Sequence, residues 1–153
     1  MKSENMRNEY LTNIAHYRKL YHKMFAPLGK QYGLTQIEID ILLFLINNPE
    51  FNTAKDIVAL RGLAKSNIST ALEQLKQKDY LEIKKEPGNR RLNRIFLKEK
   101  GTERAEVFKE RQEEFFTLML DGISEEMKKT VQMFFQIANE NITRALTDRK
   151  GED

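Results

Sequence analysis

Lys84, Lys85, Arg90, Arg91 and Arg94 fall within eleven residues, around the turn-forming Pro87-Gly88-Asn89. A hairpin tip cannot bury that many cations, so they are solvated or they meet an anion such as a phosphate backbone. Just upstream, Lys65, Ser66, Asn67, Ser69 and Thr70 bring short hydroxyls and an amide together at helical spacing. Groups of that kind reach base edges in a nucleic-acid groove, although they discriminate less than an arginine paired to guanine. Other chemistries lack their residues. With no cysteines there is no disulfide, thiolate or zinc knuckle. The only histidines, His16 and His22, lie on different faces of one helix, which argues against a metal site or a Ser-His-acid triad. Seven scattered glycines form no nucleotide-binding loop. No catalytic residue, metal or cofactor is expected, and the chain is not read as an enzyme.

The elements that must position these groups follow from the pattern. Thr53 to Asp56 offers a hydroxyl cap with an acid three residues on, and Arg61-Gly62-Leu63 ends a short helix. A second helix runs from about Lys65 to Lys78, with Ile68, Ala71, Leu72 and Leu75 on one stripe of a 3.6-residue period. Two helices joined by a short turn with Gly are a helix-turn-helix, whose second helix enters the major groove. Tyr80–Lys85 and Leu92–Leu97 read as two strands, so the basic hairpin is a wing.

Around this centre, a long helix over about residues 6–30 carries Met6, Tyr10, Ile14, Tyr17, Tyr21, Met24 and Leu28 on a seam, with Pro27 in its last turn. Its aromatic residues fit a packing stripe or the wall of a small-molecule pocket. Thr35 and Glu38 form a capping box, Leu34 and Ile39 a staple, and the helix they open is apolar nearly all round up to Asn48-Pro49. A helix from about Glu99 to Leu120 carries Ala105, Phe108, Phe115 and Met119 on its seam. Ser124 caps a last helix lined by Met127, Val131, Phe134, Ala138, Ile142 and Ala145. Seams that long exceed what a winged helix can cover, which points to a twofold dimer. The tail from Asp148 to Asp153 is expected to be disordered.

Charge and composition agree. Residues 53–100 carry a net +6, against +1 before and −4 after them. Hydrophobic residues make up 40% of the chain, with nine Phe and five Tyr, as in a globular protein. No run approaches the ~20 apolar residues of a membrane span, and the first residues lack a signal-peptide core. A cytoplasmic protein is expected.

Gly33-Leu34-Thr35, Leu63-Ala64-Lys65-Ser66-Asn67-Ile68-Ser69, Gly88-Asn89-Arg90-Arg91 and Leu97-Lys98-Glu99-Lys100-Gly101 together resemble the MarR family of bacterial transcriptional regulators. The resemblance implies a mainly α fold with a small β-wing: a winged helix-turn-helix with N- and C-terminal dimerisation helices. Residues 1–34 would be the N-terminal dimerisation helix, 35–100 the DNA-binding domain and 101–153 the C-terminal dimerisation helices. It also implies a homodimer on palindromic promoter double-stranded DNA, mostly as a repressor, with release by a small aromatic effector in many members. Such a ligand would sit between the first helix, the Thr35 helix and the wing-bearing lobe. Three positions depart from the family: Asn89 for the Asp of its Asp-x-Arg wing, Lys98 for the Thr that ends the wing, and Ala64 for a capping residue. On this reading Ser66, Asn67, Ser69 and Thr70 face the major groove and Arg91 the minor groove, while Lys65, Arg90 and Arg94 hold phosphates. The alternative is a winged-helix protein-interaction module without DNA binding.

Overall fold

The computed structural model describes residues 3–148, with side chains placed for 5–147; of the tail Asp148–Asp153 expected to be disordered, Asp148 ends the last helix and 149–153 lie outside the described residues. The order is α1 (Ser3–Tyr32), α2 (Gln36–Asn47), α3 (Ala54–Arg61), α4 (Lys65–Gln77), β1 (Leu81–Glu86), β2 (Asn89–Leu97), α5 (Glu99–Met119) and α6 (Glu125–Asp148). The chain divides into two compact units, Met1–Phe115 and Phe116–Asp153.

The first unit is built on α2. Both halves of its capping box are present: Glu38 N–H donates to Thr35 Oγ1 at 3.3 Å, and Thr35 N–H donates to Glu38 Oε2 at 2.7 Å. Ile39, Ile41, Leu42 and Phe44 are buried, as expected of a helix apolar nearly all round. Phe25 and Leu28 of α1 and Ala105 and Phe108 of α5 join the same core. This is why the compact unit takes in α1 and most of α5 rather than stopping at residues 34 and 100. Pro27 lies inside α1, which continues through it to Tyr32.

Thr53 and Asp56 cap α3 reciprocally, and Gly62 ends it in the left-handed conformation at φ 63°. The next helix, α4, buries Ile68, Ala71, Leu72 and Leu75, the stripe read from spacing, and so turns its polar side outward. Its start at Ala64 has no side-chain cap. Its C-terminal end is gathered by three lysines. Lys78 Nζ bonds Glu38 Oε1 at 2.6 Å and Gly33 O at 3.0 Å, Lys98 pairs with Asp79, and Lys100 Nζ donates to Lys78 O at 2.8 Å. Cations there oppose the negative end of the helix dipole. At Gly101 a Cβ would stand 1.9 Å from Tyr80 O, so only glycine lets α5 start against the end of the helix-turn-helix.

The wing is a two-stranded antiparallel sheet in which Leu81 faces Leu97, Ile83 faces Ile95 and Lys84 faces Arg94. Pro87-Gly88 forms its turn, with Gly88 at φ 81°, the type II arrangement of Pro followed by a positive-φ residue. Lys85 pairs with Asn93 but the next residue, Glu86, pairs with Asn89. The intervening Arg90, Arg91 and Leu92 therefore bulge out of the ladder. β2 accordingly begins three residues before the start read from the sequence, since a bulge has no alternation to betray it.

In the second unit, Ser124 caps α6 through a bond from Met127 N–H at 3.2 Å. Of the seam read from spacing, Met127, Val131, Phe134, Ile142 and Ala145 are exposed in the single chain, and Ala138 is half-buried.

Candidate nucleic-acid interface

Lys65, Ser66, Asn67, Ser69 and Thr70 are all exposed on α4. The buried stripe dictates this for Ser66, Asn67, Ser69 and Thr70, which lie about 100° or more around the helix from Ile68, while Lys65 is exposed as the first residue of the helix. Thr70 Oγ1 donates to Ser66 O at 3.0 Å, which leaves its lone pairs as acceptors. The others keep donors and acceptors facing outward. No acid lies in the first turn of α4, so its positive end is open to an anion.

On the wing, Arg90 and Arg91 are exposed on the bulge and make no ion pair among the described residues. Asn89, at the position where the family carries Asp, accepts a bond from Arg91 N–H at 3.2 Å. The amide thus holds the backbone of Arg91 and leaves its guanidinium uncommitted. Lys84 pairs with Glu82 at 2.7 Å and lies 5.6 Å from the Phe96 ring, both exposed contacts of small energetic weight.

Arg94 differs from the other wing cations. Its Nε donates to Glu86 Oε2 and its Nη1 donates to Asn52 Oδ1 at 2.9 Å, leaving the side chain only 33% exposed. The expectation that Arg94 holds a phosphate takes neither partner into account. Glu86 closes the same hairpin and is legible from the sequence as a neighbour. Asn52 lies 42 residues away, and no local signal connects it to the wing.

A cleft of about 510 Å³ borders this network, lined by Pro49, Asn52, Lys84, Pro87, Arg94 and Phe96 among others. The aromatic stripe of α1 is packed against α5: Tyr21 stacks on Phe25 at 4.4 Å, and both Tyr17 and Tyr21 meet Phe115 edge-on. Tyr21 Oη at 3.3 Å and Gln36 Nε2 at 2.9 Å both donate to Asp40 Oδ1 at the edge of that cluster. Burial first, and the Asp40 carboxylate second, push the Tyr21 hydroxyl well above the ordinary phenol range. Among the described residues no His, Cys, Asp and Glu cluster to hold a metal, and no helix is long and apolar enough to cross a membrane.

The fold and the exposed face define a winged helix-turn-helix protein. Residues 32–92, from the end of α1 into the wing, match the model of the MarR family. Proteins of that family are transcriptional regulators rather than enzymes. Solved structures share the fold over most of the chain. A MarR family transcriptional regulator from Listeria monocytogenes, complexed with 26mer DNA, superposes with a TM-score of 0.78 at 17% identity, over 88% of this chain and 89% of that one. A MarR/EmrR family regulator from Acinetobacter sp. ADP1 gives 0.75 at 19% identity, over 94% and 99%. MepR of S. aureus, in a DNA complex, gives 0.73 at 18% identity, over 92% and 99%. At these identities the likeness is one of fold. Among curated proteins, no sequence matches the chain.

Proposed function

We propose that the chain is a sequence-specific DNA-binding transcriptional regulator, acting as a homodimeric repressor on palindromic promoter DNA in the cytoplasm. The observation that carries this reading is an outward helix face without acids in its first turn, beside a wing whose tip arginines are uncommitted. Ser66, Asn67, Ser69 and Thr70 read base edges in the major groove, and Arg91 enters the minor groove, where a narrow groove attracts arginine. Lys65 and Arg90 hold phosphates. Arg94 stands apart from that set, because Glu86 and Asn52 already take two of its five N–H donors and fix its direction. The DNA complexes of two proteins of the same fold support the docking.

The exposed seam of α6 supports the dimer. Residues 1–34 and 101–153 would supply the arms that pair two copies around 35–100. The resemblance supports one further element, release by a small aromatic ligand against the Tyr17–Tyr21 cluster. Titrating a salicylate-like acid into the DNA complex tests it, and a panel without effect would remove it.

The main test selects duplexes from a random pool and measures binding across a salt series. Arg91→Ala should weaken binding and lower the salt slope by roughly 0.9, one phosphate's worth of released counterion. A wild-type chain indifferent to every duplex at low salt would overturn the reading in favour of a protein-interaction module.

A further inference from the structure

We propose that Asn52, Arg94 and Glu86 form a clamp that sets the attitude of the wing, and with it the place where Arg90 and Arg91 reach DNA. Arg94 is thus a positioning residue rather than a phosphate ligand. The proposal rests on the DNA-binding reading above.

A two-stranded hairpin is marginal by itself, so the direction of a wing depends on what ties it down. Leu81 and Ile95 anchor the base of the sheet in the core, and the polar tie beyond them centres on one residue. Asn52 is 8% exposed, and it grips two consecutive positions of β2. Its side-chain oxygen accepts from Arg94 Nη1 at 2.9 Å, and its backbone carbonyl accepts from Ile95 N–H at 2.8 Å. The next residue, Thr53, is the N-cap of α3, so the wing is fastened to the start of the helix-turn-helix. Glu86 closes the fork from the other side by accepting from Arg94 Nε at the foot of the turn. The guanidinium therefore joins three places: β2, the last residue of β1 and the segment before α3. The bulge bearing Arg90 and Arg91 begins between the two wing residues that the clamp holds, Glu86 and Arg94.

Two donors at fixed angles are what a guanidinium supplies and an ammonium does not. A lysine at position 94 would keep the charge and lose the fork. A phosphate ligand would behave the other way, tolerating lysine and losing counterion release on truncation to alanine.

The test combines amide hydrogen exchange on the free protein with duplex binding over a salt series, for Asn52→Ala, Arg94→Lys and Arg94→Ala. Expected are faster exchange of the wing amides with α2 unchanged, and about tenfold weaker binding in all three, the scale of a lost hydrogen bond to a charged group. The salt slope should stay at its wild-type value. Wing exchange unchanged in Asn52→Ala would overturn the clamp. So would wild-type affinity in Arg94→Lys together with a slope roughly 0.9 lower in Arg94→Ala. A wild-type chain that binds no duplex sinks the DNA reading instead, a different result from a wild type that binds alongside variants that bind equally well.

Discussion

Asp40 is a half-buried carboxylate on α2, held by Tyr21 and Gln36 through the same oxygen. Burial raises its pKa above the ordinary carboxylate value of 3.8, against the opposing pull of its two hydrogen bonds and of Arg61. The folded chain therefore keeps this proton to higher pH than the unfolded chain does. Its contribution to stability is fully present below the unfolded value and is lost as pH rises through the folded one. Asp40→Asn keeps the accepting oxygen and removes the charge. The variant should exceed wild type in urea stability at neutral pH, with the gap closing on acidification; a gap that does not change with pH would contradict this. Glu38, on the same helix, is a fully buried carboxylate whose cation, Lys78, comes from the end of α4. Lys78→Met would leave that charge unanswered. Because Lys78 is itself 36% exposed, the cost should be about 2 kcal/mol in a denaturant melt, below that of a wholly buried pair.

At the scale of elements, the recognition helix begins at Ala64, whose backbone is extended at φ −62° and ψ 134° as a cap requires but whose side chain offers no oxygen. Ala64→Ser should add about 1 kcal/mol to thermal stability, read by calorimetry. The capping boxes at Thr35 and Thr53 and the buried stripe of α4 were all legible in the sequence, because each depends on residues three or four apart. The exposure of Ser66, Asn67, Ser69 and Thr70 followed from that stripe. What escaped was the inner part of the wing. Nothing in Arg90-Arg91-Leu92 announces a bulge, and the clamp on Arg94 depends on a residue brought in from before α3.

For the whole molecule, the open question is what covers the last helix. Met127, Phe134, Phe135, Ile137 and Ile142 are each more than half exposed in the single chain. Monomeric proteins rarely leave a contiguous apolar surface of that kind uncovered. If two copies pair there, Phe134→Asp should shift the protein from dimer to monomer in sedimentation at micromolar strength. It should weaken duplex binding in parallel, since one half-site alone would remain engaged. A Phe134→Asp protein that stays dimeric would place the interface elsewhere.

The linear chain by itself determined where helices begin and end, which of their faces are greasy, and that positive charge gathers at one hairpin. Those properties arise from neighbours within a turn or two, where the backbone leaves few choices. Only the tertiary structure decided which cations remain available. Arg94 and Arg91 are the same residue type three positions apart, yet one is held by Asn52 and Glu86 and the other is not. The difference comes from partners that the folded core carries to it across long stretches of chain.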